Sequence, residues 1–75
     1  MRFPNQRLAQ LFTLLRNETL PQDELAQRLS VSTRTVRADI TALNALLAQY
    51  GAQFIRNRGS GYQLKIDNPA SYQTL

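Results

Sequence analysis

Between Leu25 and Ile40 the chain reads Leu25-Ala26-Gln27-Arg28-Leu29-Ser30-Val31-Ser32-Thr33-Arg34-Thr35-Val36-Arg37-Ala38-Asp39-Ile40. Leu25, Ala26 and Leu29 share one face of a short helix. Val36 and Ile40, continued by Leu43 and Leu47, share one face of a longer helix. Only Ser30-Val31-Ser32 separates the two, so the connection is a tight turn. Ser32 is placed to cap the second of these helices, because its hydroxyl can accept from an orphan backbone N–H. Val31 is the apolar plug in the corner, and the small Ala26 lets the helices cross closely. The stretch is a helix, a turn and a helix.

Working outward, Pro21 suits the first turn of the short helix, where its missing N–H is harmless. Asp23 and Glu24 then sit at the positive end of the helix dipole. That helix is predicted over Pro21 to Leu29. The longer one is predicted from Thr33 to Gln49 or Tyr50, ended by Gly51 in the left-handed region. Upstream, Leu8, Leu11, Phe12 and Leu15 mark a first helix from Asn5 to Asn17, with Asn5 as its cap. Downstream the period falls to two. Ala52, Phe54 and Arg56 alternate with Gln53 and Ile55, and Tyr62, Leu64 and Ile66 alternate with Gln63 and Lys65. Asn57-Arg58-Gly59-Ser60-Gly61 joins the two runs as a hairpin loop. The predicted fold is α+β, mainly α: a winged helix-turn-helix, with three helices followed by a two-stranded β-hairpin wing. It occupies residues 1–66. Residues 67–75 read as a polar tail or linker.

The chain has 75 residues and no Cys, His or Trp. That length allows one domain with a small core. Without Cys there is no disulfide and no thiolate metal site. Without His the commonest general base near neutral pH is missing. The five acids, Glu18, Asp23, Glu24, Asp39 and Asp67, do not cluster. No cofactor, metal or catalytic set is expected, and an enzyme is the least favoured class. No run approaches the length of a membrane span, and no secretory signal is seen at the N-terminus, so a cytoplasmic protein is expected.

Charge carries the positive signal. Nine basic residues face five acidic ones, for a net +4, and eight of the nine are Arg. Residues 32–65 hold Arg34, Arg37, Arg56, Arg58 and Lys65 against Asp39 alone. A one-sided basic half rich in planar guanidinium donors points to nucleic acid. On a helical wheel of 100° per residue, Ile40, Leu43, Leu47 and Tyr50 fall within about 40° of Val36. Arg34, Ala38, Thr41 and Ala45 fall roughly 140–200° away. The outer face is thus Arg plus small residues, a shape that enters a major groove. The candidate DNA-binding residues are Ser32, Thr33, Arg34, Thr35 and Arg37 at the helix start, and Arg56, Arg58, Gly59, Ser60 and Gly61 in the wing. Arg34 and Arg37 suit base edges; the others suit the backbone. Asp39 reads as structural, paired with an Arg or a backbone N–H. Tyr62 reads as packing, and Ile55 as an exposed apolar residue or part of a partner patch. Solvated charges and an ordinary glycine loop remain the plain alternative for each piece.

The run Leu25–Ile40, with Leu43-Asn44, Tyr50-Gly51-Ala52 and Gly59-Ser60-Gly61-Tyr62-Gln63-Leu64, resembles the N-terminal winged-helix domain of bacterial transcription regulators. The likeness covers residues 5–66 and is nearest to the phosphotransferase-system-regulated, antiterminator-type activators. It implies operator reading in double-stranded DNA by the third helix, in a regulator of a sugar-transport or utilisation operon. It also implies a homodimer in the full-length protein, and a regulatory domain after the wing that this chain lacks. One departure is Ser30, where relatives often carry Gly. Two other readings stay open: a winged-helix module that binds protein, and an RNA-binding antiterminator segment.

Overall fold

A computed structural model describes residues 3–73. In order they form α1 (Gln6–Asn17), α2 (Gln22–Leu29), α3 (Thr33–Leu47), a 3-10 turn (Ala48–Tyr50), β1 (Ala52–Asn57), β2 (Gly61–Ile66) and α4 (Pro69–Tyr72). The helix starts follow from short polar side chains. Asn5 Oδ1 accepts from the Leu8 N–H at 2.9 Å, and Ser32 Oγ accepts from the Thr35 N–H at 3.2 Å. Pro21 lies one place earlier than the sequence suggests: it is the N-cap of α2, in extended conformation, and its carbonyl accepts from Leu25 N. The third helix also tightens at its end. Regular α geometry stops at Leu47, and the 3-10 turn carries the chain to Gly51 at φ 65°.

One core joins all three helices to the sheet. Leu11, Leu25, Val36, Leu43 and Leu47 are fully buried. Leu8, Phe12 and Leu15 from α1 and Ala52 and Phe54 from β1 close it. The Phe12 and Phe54 rings lie 6.3 Å apart and tilted, and Phe3 adds a second tilted ring 5.3 Å from Phe12. Each such large side chain contributes about 1.5–3 kcal/mol by leaving water. Asp39 is the one charged residue buried among those described. It meets Arg7 of α1 side-on: Nε donates to Oδ2 at 2.5 Å and Nη2 to Oδ1 at 3.1 Å. A buried carboxylate needs such a partner, because an unpaired charge in the interior is strongly disfavoured.

β1 and β2 are antiparallel, with Ala52 opposite Ile66 and Asn57 opposite Gly61. The wing does not swing free. Leu20, just before α2, exchanges two backbone hydrogen bonds with Tyr62: Leu20 N–H to Tyr62 O at 3.1 Å and Tyr62 N–H to Leu20 O at 2.7 Å. Gly61 makes this approach possible. A Cβ there would lie 2.2 Å from the Leu20 carbonyl carbon and the Pro21 nitrogen, and its φ is +106°. After β2, the Asp67 and Asn68 N–H groups both donate to the Gly51 carbonyl, at 2.7 and 2.9 Å. Asn68 then caps the single turn of α4, and Tyr72 packs against the core. The stretch that reads as a polar tail is anchored as far as it is described.

Gly61→Ala is expected to lower unfolding free energy by roughly 2–4 kcal/mol in urea or thermal melts, through backbone overlap added to left-handed strain. Gly59→Ala, at φ +85° but with nothing within 4 Å, should lose only about 1–2 kcal/mol.

Candidate nucleic-acid interface

The turn between α2 and α3 sets the pose of α3. Ser30 is left-handed, at φ 57° and ψ 44°. The Val31 N–H reaches back to the Ala26 carbonyl at 3.0 Å and the Ser30 N–H to the Gln27 carbonyl at 3.3 Å. This is the six-to-one, five-to-two pattern that closes many helices, normally built on Gly. Val31 is partly buried against the core, as its place in the corner requires. Ser32 follows and caps α3. Its hydroxyl also donates to Thr35 Oγ1 at 3.1 Å, so Ser32 and Thr35 hold each other at the helix start.

The outward side of α3 is open. Arg34, Arg37, Ala38, Thr41 and Ala45 are exposed, while Thr33 and Thr35 are half-buried. The Thr41 hydroxyl turns in to the Arg37 carbonyl at 3.1 Å. In the wing, Arg56, Arg58, Gly59 and Ser60 are exposed and Gly61 is half-buried against Leu20. The Ser60 N–H closes the loop onto the Asn57 carbonyl at 3.2 Å, and the Asn57 amide donates to the Gln63 side chain across the hairpin. Ile55 and Tyr62 are both half-buried, and Tyr62 packs against the core.

The ion pairs explain why these arginines are available. Asp39 engages Arg7, Glu18 and Glu24 engage Arg28, and Asp67 engages Lys65. Among the described residues, Arg34, Arg37, Arg56 and Arg58 have no carboxylate partner. Asp39, by its hydrogen bonds first and its charge second, pushes the Arg7 pKa further above its ordinary value. A cleft of about 640 Å³ separates the first turn of α2 from the wing; Pro21, Gln22, Asp23, Arg56, Arg58 and Tyr62 are among its walls. Gln22 Oε1 is buried beside it without a hydrogen-bond partner among the described residues. The sequence gives no sign of this cleft, because nothing in the local pattern places Pro21 against residues near position 60.

Three helices with a tight turn, an exposed third helix and a tethered hairpin define a winged helix-turn-helix. Residues 7–63 match the family model described as an HTH domain, and the chain belongs to that family. It is also similar to the probable licABCH operon regulator of Bacillus subtilis (strain 168), 48% identical over 50 residues. That match covers 67% of this chain and 8% of the length of that regulator. No solved structure gives a significant match. Family and relative together support DNA-binding transcription regulation. No helix among the described residues is long and apolar enough to cross a membrane.

Ser30→Gly should raise unfolding free energy by roughly 0.5–1 kcal/mol. It relieves the left-handed strain of a side chain, less the extra entropy that Gly loses on folding. A urea titration of the two proteins measures it, and no gain would mean that the turn carries no strain.

Proposed function

We propose that this chain is the operator-reading domain of a bacterial transcription regulator and binds double-stranded DNA sequence-specifically. The observation that carries the reading is the exposed, unpaired Arg34 and Arg37 on the outer side of α3, with Arg56 and Arg58 beside it on a wing fixed to the same body. A helix with small outward residues fits the width of a major groove, and its N-terminal turns meet base edges. Arg34 and Arg37 read bases; Ser32, Thr33 and Thr35 approach the sugar-phosphate chain through hydroxyls and the N–H groups of the helix start. Arg56, Arg58 and the Gly59-Ser60-Gly61 tip take phosphates beside the groove. The domain acts by binding, in the cytoplasm, and uses no cofactor.

The finer assignment rests on the likeness to an operon regulator. In it the target is a sugar-transport or utilisation operon, as the resemblance to phosphotransferase-system-regulated activators implies. Residues 1–66 are the reading head, and 67–75 lead to a regulatory domain. The small share of the relative's length that the match covers supports that division. Two half-sites read by a homodimer is the usual arrangement for such heads.

Arg34→Ala should weaken binding to a selected operator by roughly 1–3 kcal/mol and narrow the gap between operator and unrelated duplex. Arg58→Ala should weaken both equally and reduce the salt slope by about one. Fluorescence anisotropy over a salt series measures both. Unchanged affinity in the two variants, or binding indifferent to salt, would favour a protein-binding module instead.

A further inference from the structure

Arg7 is not among the residues that the sequence points to, yet the fold brings its head group to the flank of α3. Its guanidinium lies against Asp39, itself a residue of α3. Counting about 100° per residue from Val36, Asp39 sits roughly 60° to one side of the buried stripe and Asn44 roughly 80° to the other. Asn44 marks the flank of the wing, because its Oδ1 accepts from the Phe54 N–H of β1 at 2.7 Å. The outer face with Arg34, Ala38 and Thr41 lies between those flanks. The third helix is therefore flanked by β1, the strand that leads into the wing, on one side and by Arg7 on the other.

The pairing of Arg7 is one-sided. Nε and Nη2 face the carboxylate, whereas Nη1 has no partner among the described residues. The Asp39 side chain is 9% exposed and that of Arg7 41%, so the carboxylate is inside while the arginine side chain reaches water. A planar fork held rigidly by one carboxylate presents its remaining N–H groups in a fixed direction, which suits a second, outer oxyanion. A major groove is walled by a phosphate chain on each side. We propose that Arg7 is a further DNA-contacting residue, buttressed by Asp39, that takes a phosphate on the wall opposite the wing. The proposal rests on the DNA reading above and adds a second clamp to it.

The test must separate contact from fold, because Arg7→Gln alone strands a buried carboxylate. Asp39→Asn removes that charge and keeps Arg7. Arg7→Gln/Asp39→Asn lacks both charges and can keep a neutral amide pair. Binding of wild type and both variants to a labelled mixed-sequence duplex is followed by anisotropy over a salt series, with circular dichroism melts alongside. If Arg7 meets phosphate, the double variant binds roughly fivefold to tenfold more weakly than Asp39→Asn near 0.1 M salt, and its salt slope is smaller by about 0.9. Equal affinities and slopes for the two variants would overturn the assignment. If the double variant melts below the assay temperature, Arg7→Lys against wild type decides. Lysine keeps a charge opposite Asp39 but lacks the second, outward edge of the guanidinium, so the slope falls if Arg7 holds a phosphate, and an unchanged slope and affinity refute the contact. Wild type that fails to bind duplex at all removes the DNA reading and this proposal with it; wild-type binding with equal variant slopes removes the Arg7 contact alone.

Discussion

The position of the wing depends on one close backbone approach. Leu20 and Tyr62 are far apart in the chain, yet each donates to and accepts from the other. That exchange turns the link between α1 and α2 into a one-residue extension of the sheet. It requires Gly61, because any side chain there would occupy the space of the Leu20-Pro21 peptide. A two-stranded hairpin alone in water is only marginally stable. Here it is held on one side by this bridge and beneath by Phe54 and Ala52 in the core. The strands that carry the hairpin loop are therefore tied to the same body as α3.

Charge is distributed by the same packing. With so few acids, the placement of each decides which arginines stay unpaired. Glu18 and Glu24 converge on Arg28 at the far end of α2, Asp67 pairs with Lys65, and Asp39 turns into the body to meet Arg7. The exposed pairs, those of Arg28 and Lys65, add little stability. The effect of the pairing is on the field: four of the five carboxylates are engaged by Arg7, Arg28 and Lys65, and Asp23 alone lines the cleft with Arg56 and Arg58, so the arginines of α3 and the wing keep most of their charge for a polyanion.

Most of the architecture was legible from local rules. The three apolar stripes, the caps at Asn5 and Ser32, the left-handed Gly51 and the alternation in the hairpin all act within a few residues, so their signals lie in the order of the side chains. The departures come from contacts that skip along the chain. Leu20 looks like a loop residue before a proline, but its backbone pairs with a strand formed much later. The partner of Asp39 lies 32 residues away, so its need for a partner could be read but not the identity of Arg7. Residues after Asp67 look like a polar tail, since the carbonyl that holds them belongs to Gly51 at the end of the third helix. The candidate site was legible in its components, whereas the arrangement of wing, third helix and Arg7 around one face was not.

Asn44 has an effect beyond locating the hairpin. A strand at the rim of a sheet offers unpaired N–H and C=O groups to any passing strand, and small β-containing proteins aggregate by that route. On the outer rim of β1 the Phe54 N–H is already taken by the Asn44 amide oxygen, and on the outer rim of β2 Tyr62 is taken by Leu20. A side chain and a loop thus block two of the rim positions on which a passing strand would pair.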